Sequence, residues 1–266
     1  MKSSIKYLTF LNMSALLLLA LSGIFDGAFG RILYICSFAL PLLLSFPVMK
    51  KTGAKFMKFR TGRGDLCLFV PLILPSVLLI FSLSLLTSLI LSSLGLSDSY
   101  EIEENLLLAL FNHALVPAIL EEGLFRFVAL SILLPYSKRG AVIYSAIFFA
   151  FAHCNLLQIP YALLAGLIFA FLDVAFDSVL PSVILHFVNN ALSVLWIMYG
   201  EANLVLFVSV FLGLTLLSVL AAVIFCRRRY KNIFSIGCRA EEKIAASPYA
   251  LIFIAVTLLV AITAVL

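Results

Sequence analysis

Long apolar runs separated by short charged segments organise this chain. The first extends to about Phe25, after Met-Lys-Ser-Ser-Ile-Lys, and the second runs from about Ile32 to Met49. The third covers roughly Leu66 to Leu96, with Pro71 and Pro75 expected to bend it near its start. The fourth, Leu106 to Leu134, stops before Pro135. Three further runs cover Ala141 to about Gln158, Tyr161 to Phe176, and Pro181 to Tyr199. The eighth spans about Leu204 to Cys226 and the ninth about Tyr249 to Leu266. A helix crosses a bilayer with about 20 apolar residues. The pattern therefore predicts an all-α, polytopic membrane protein of eight to nine transmembrane helices, nine by direct count. The first run has the shape of a secretory signal, with Ala28-Phe29-Gly30 as a cleavage site. A retained helix is the expectation, because further spans follow at once.

Composition agrees: 64% of the 266 residues are hydrophobic and 12% are charged. A soluble domain has about 45–50% and about 25%. The net charge of +5 points to membrane orientation rather than to nucleic acid. With the N-terminus in the cytoplasm and nine alternating spans, every Lys and Arg except Arg31 and Arg126 falls on the cytoplasmic side. The outer loops then carry Asp26, Asp98, Glu101, Glu103, Glu104 and Glu201, and the C-terminus lies outside. The five cysteines have no metal-binding spacing and read as small core residues. Asp173 and Asp177 are expected in an interfacial turn. The chain divides into N-terminal helices with a basic loop (1–105), a membrane core that holds the polar groups considered next (106–200) and C-terminal helices (201–266).

Polar groups inside these runs carry the candidate chemistry. Each charged side chain at mid-membrane costs about 2.5–3.5 kcal/mol on insertion scales, so intramembrane charge marks a functional site by default. The fourth run holds Glu121, Glu122 and Arg126. Glu122 and Arg126 are four apart and share one helix face. Glu121 is turned by about 100° and has no such local partner, so it is the carboxylate left for chemistry. Pro117 removes a backbone hydrogen bond one turn before it. Glu122 stands twelve residues before the cytoplasmic end of its span and His153 twelve after the start of the next. Both then lie roughly 18 Å from that side. A carboxylate and an imidazole at one depth can activate a shared water as general base.

His186 and Asn190 are four apart on the seventh run, an imidazole and an amide suited to a developing oxyanion. The competing reading of each group is structural: an ion pair or polar glue that fixes helix packing. Asn189 reads as such glue, pointing elsewhere, and Asn112 and His113 as packing or outer-cavity residues.

Glu-Glu-x-x-x-Arg, Phe-x-x-x-His and His-x-x-x-Asn, in that order on membrane helices, resemble the CPBP intramembrane protease family. That family includes the type II CAAX prenyl endopeptidases and proteins linked to bacteriocin processing and immunity. The resemblance covers Glu121 to Asn190. It implies a helical membrane domain with a conical, water-accessible cavity. It gives Glu121 and His153 the activation of water, His186 and Asn190 the oxyanion, and Glu122 and Arg126 a supporting role. Family members have also been described as metalloproteases, and Glu122, His153 and His186 are ligands of suitable type for zinc or another divalent metal. No HExxH is present, and the metal-free glutamate mechanism is the expectation.

The reading is an intramembrane endopeptidase acting on a CAAX-like or other membrane-associated peptide. The bilayer and a peptide or protein substrate are its partners, with no nucleic acid, in a prokaryotic plasma membrane. A non-catalytic scaffold or immunity protein on the same fold is one alternative. A proton-coupled transporter is another, though it favours inverted repeats and matched broken helices, which the chain lacks.

Overall fold

The computed structural model describes residues 2–200 except 23, 26, 53, 54, 61, 94 and 96–101, together with the isolated positions 209, 210, 213, 214, 216, 217, 220 and 255. Apart from those positions, the expected eighth and ninth spans and the basic stretch between them lie outside the described residues.

Among the described residues the structure is helical, without a named strand. Seven rods follow one another: α1 (Lys2–Ser22), α2 (Gly27–Thr52), α3 (Arg63–Ser93), α4 (106–133), α5 (Lys138–Ala152), α6 (Ile159–Phe176) and α7 (Leu180–Leu195). A π-helical turn, Trp196–Gly200, extends α7. Among the described residues four helices are long and apolar enough to cross a membrane: Phe29–Lys50, Phe69–Ile90, Ile159–Phe176 and Leu180–Gly200. An apolar stretch in α1, Lys6–Ser22, is shorter. In lipid only helices and closed barrels satisfy every backbone group internally, which is why the apolar runs become rods.

Local signals place the rod ends. Asn105 starts α4 by accepting the Leu108 N–H, and Ser137 starts α5 by accepting the Gly140 N–H at 2.9 Å. Prolines stand in the first turns of α6 and α7, where a missing N–H costs nothing. Asp177 closes α6 in the left-handed conformation, φ 49°.

The α4 rod alternates between α and π winding. Phe111–Leu115 is a π turn immediately before Val116–Glu122, so the helix widens just ahead of Pro117. Gly123–Leu130, directly after the glutamate pair, is π-helical as well. The Phe125 carbonyl in this widened segment accepts the Ser145 hydroxyl of α5 at 2.9 Å. Such π turns are frequent at functional sites.

Helices in lipid associate through close packing and polar contacts, because lipid tails are as apolar as the side chains. Where α5 meets α6, a Cβ on Gly166 would stand 2.9 Å from the Ala146 Cα. Only glycine permits this approach of the two helices.

At the basic end the loop 55–60 is tied to several rods. The Met57 N–H donates to the Ser131 hydroxyl at 3.0 Å, and the Val179 N–H donates to the Lys58 carbonyl at 2.8 Å. Lys58 pairs with Asp177 at 2.7 Å, and Phe56 stacks on Phe127 at 4.3 Å.

Asp177 occupies the turn foreseen for it, whereas Asp173 does not. Asp173 is fully buried inside α6, where its Oδ1 accepts the Ser182 N–H at 3.0 Å. The sequence pattern put a charge at the interface because it could not show that the first turn of α7 supplies a buried donor. The fifth span also ends early. Helix α5 stops at Ala152, and the chain turns through Cys154 with φ 49°.

Gly166→Val should overpack the α5–α6 contact. The expected loss is about 1–3 kcal/mol, read as lower thermal stability in detergent. Asp177→Ala breaks an exposed pair and should cost about 1 kcal/mol or less in the same assay.

Candidate active site

A cavity of about 1380 Å³ opens between the rods and narrows onto α4. Glu121, His153, His186 and Asn190 all line it. Glu122 and Arg126 lie behind its wall, and neither has any exposed surface.

The arrangement builds outward from the buried pair. Arg126 Nε stands 3.1 Å from Glu122 Oε2, an ion contact in which the N–H is not aligned on the oxygen. The guanidinium also reaches the Gly166 carbonyl, with Nη2 at 3.5 Å. The same glycine that lets α5 and α6 approach thus presents its carbonyl to the arginine. Arg126 Cζ lies 4.2 Å from the centroid of the Phe149 ring and 5.6 Å from that of Phe169. Cation–π attraction of this kind reaches about 2 kcal/mol or more when desolvated.

The other Glu122 oxygen, Oε1, holds His186 Nδ1 at 2.7 Å. This fixes the His186 ring so that its opposite nitrogen, Nε2, faces Glu121 Oε2 at 4.0 Å. His186 therefore spans the glutamate pair.

His153 caps α5, and its Nδ1 lies 2.8 Å from the Phe149 carbonyl. A carbonyl only accepts, so this contact requires the proton on Nδ1 and leaves Nε2 as a lone pair in the neutral ring. That Nε2 faces Glu121 Oε2 at 3.9 Å. Two histidine nitrogens thus converge on one carboxylate oxygen, both beyond direct hydrogen-bond range and within reach of a bridging water.

Glu121 has a partner that its own helix does not reveal. The Tyr34 hydroxyl of α2 donates to Glu121 Oε1 at 3.2 Å. The only signal in the sequence is a polar hydroxyl in an apolar run, too common to single out. Asn189 also differs from the expectation. It lines the cavity, and its amide nitrogen donates to Asn190 Oδ1 at 3.4 Å. Asn112 and His113 do belong to the outer cavity. Both bind Glu103 at 2.8 Å, and Arg31 approaches the same carboxylate at 3.6 Å. Burial alone would raise the Glu103 carboxyl. Hydrogen bonds from Asn112, its own backbone and His113 outweigh this and hold it below its ordinary value.

Glu122 meets Arg126 and His186 Nδ1, and His153 Nδ1 meets a carbonyl, which leaves the Nε2 atoms of both histidines facing Glu121. Among the described residues no three His, Cys, Asp or Glu side chains are placed to hold a metal ion.

Residues 102–192 match a family model described as Type II CAAX prenyl endopeptidase Rce1-like. This match covers about a third of the chain and takes in the whole polar constellation from Glu121 to Asn190. Over that segment the chain is similar to a family of membrane proteases, and among the described residues four helices are long and apolar enough to span. No curated protein and no solved structure matches the chain.

Arg126→Ala leaves Glu122 buried beside His186 with no cation. Breaking one side of a buried pair costs roughly 3–5 kcal/mol, so this variant should show reduced expression and a lower unfolding temperature.

Proposed function

We propose that the chain is an intramembrane endopeptidase in which Glu121 and His153 activate the attacking water. The convergence of His153 Nε2 on Glu121 Oε2 at 3.9 Å is the observation that carries this reading. A carboxylate oxygen and an imidazole lone pair are both acceptors, and a water between them offers one proton to each. Removing a proton as the oxygen attacks a peptide carbonyl is the task of a general base. Tyr34 holds the other Glu121 oxygen and so orients the carboxylate.

His186 and Asn190 stabilise the oxyanion. The Asn190 oxygen is occupied by Asn189, which leaves its NH2 end as a donor. His186 Nδ1–H binds the Glu122 carboxylate, so Nε2 donates only when the ring carries both protons. Glu122 therefore sets which His186 nitrogen faces the cavity, and Arg126 pairs with the other Glu122 oxygen. No step requires a metal. The protein resides in a prokaryotic plasma membrane with its N-terminus in the cytoplasm.

Purified protein with a membrane-associated peptide substrate tests the assignment. Glu121→Gln and His153→Ala should lose nearly all turnover while keeping native thermal stability. Asn190→Ala should fall by about 10²–10³ in rate, the usual effect of losing one oxyanion donor. Tyr34→Phe should fall by roughly 10–100-fold, because a hydrogen bond to a charged group is worth about 1.5–3 kcal/mol. Dialysis against a strong chelator should leave turnover unchanged. A normal rate for Glu121→Gln would make the glutamate pair structural and favour the scaffold reading.

A further inference from the structure

The cavity lies toward one end of the bundle. Its lining residues on the rods fall within 19–22 of α1, 27–38 of α2, 81–89 of α3, 111–125 of α4, 149–153 of α5, 161–169 of α6 and 186–197 of α7. Alternate rods run in opposite directions, so in each case these positions lie away from the end marked by Lys50, Arg63, Lys138 and Lys58. The mouth carries Arg31, Glu103, Asn112 and His113.

Below Glu121 the cavity ends on an aromatic floor. Phe38 meets Phe125 edge-on at 6.5 Å, Phe125 meets Phe149 at 5.6 Å, and Phe149 meets Phe169 at 6.2 Å. Under that floor Glu122 and Arg126 have no exposed surface. The basic end is further closed by the loop 55–60, with Phe56 stacked on Phe127 and the Lys58 carbonyl bound to the α7 N-terminus.

Basic residues mark the cytoplasmic side of a membrane protein. We propose that the active site is reached from the outer side of the membrane and takes peptide segments of exported or outward-anchored proteins. Substrate enters past Arg31 and Glu103 and descends to Glu121; among the described residues the aromatic floor and the loop 55–60 stand between Glu121 and the basic end. The mouth is mixed in charge, with one guanidinium and one carboxylate in contact, and the wall below it is largely apolar. The segment accepted is accordingly an extended, apolar peptide rather than a highly charged one.

The choice of substrate rests on the peptidase reading above; the side of access does not. Both are tested in a background from which the native cysteines have been removed. Ser88→Cys and, separately, Ser84→Cys introduce a thiol on the α3 wall, and Lys55→Cys introduces one in the basic loop. A membrane-impermeant maleimide on intact cells should label the α3 thiols at once. It should label Lys55→Cys only after permeabilisation. The reverse pattern would overturn the proposal, and two wall positions guard against one misfolded variant.

The second arm uses oriented vesicles and a fluorogenic apolar peptide coupled to a group that cannot cross the bilayer. Right-side-out vesicles should cleave it, and inside-out vesicles should not. Cleavage confined to inside-out vesicles would overturn the proposal. Outward labelling without cleavage in either orientation would support the outer access and contradict the peptidase reading.

Discussion

A guanidinium with no exposed surface, in a helix bundle of this apolarity, is the constraint on which the rest depends. Arg126 cannot shed its charge, and an unpaired ion there is among the costliest groups a membrane protein can carry. Its surroundings answer that cost from four directions. Glu122 comes from its own helix, the Gly166 carbonyl from α6, and the faces of Phe149 and Phe169 from α5 and α6. The last three contacts fix α4 against α5 and α6. Since lipid offers no hydrophobic drive for helix association, such contacts supply much of the specificity of packing. The π winding after Glu122 and the missing Cβ at Gly166 are the backbone adjustments that let them form.

The two glutamates then divide their work by position. Glu122, behind the wall, joins Arg126 to His186 and is closed to solvent. Glu121, one residue earlier, faces the cavity with Tyr34 on one oxygen and two histidine nitrogens near the other. A rigid, charge-balanced layer thus supports a reactive layer open to water. This is how a site can be held to small tolerances in a bilayer that provides no polar scaffold of its own. The backbone carbonyl under His153 adds to this, since it sets the ring's tautomer without a further ionisable group.

Much of this was legible in the chain because it is local or periodic. Seven apolar runs become seven rods, and Glu122 and Arg126 meet because four residues separate them. Equal depth in antiparallel neighbours brought His153 toward the glutamates. What stayed hidden is set by contacts distant in sequence. Tyr34 lies 87 residues from Glu121, and the Glu122–His186 bond joins positions 64 apart. Gly166 matters only through Ala146 on another helix, and the Asp173 carboxylate looked interfacial because its donor comes from α7. Charge patterning supplied an orientation but not the end at which the cavity opens. That depends on where four helices bring Phe38, Phe125, Phe149 and Phe169 together.

The central claim is that Glu121 is the base of a peptide hydrolysis. The most direct measurement compares protein termini in cells carrying the natural chain with termini in cells carrying Glu121→Gln at equal abundance, by mass spectrometry. The account predicts a set of internal termini, on segments outside the cytoplasm, that vanish in the variant. Identical termini in both strains would contradict it.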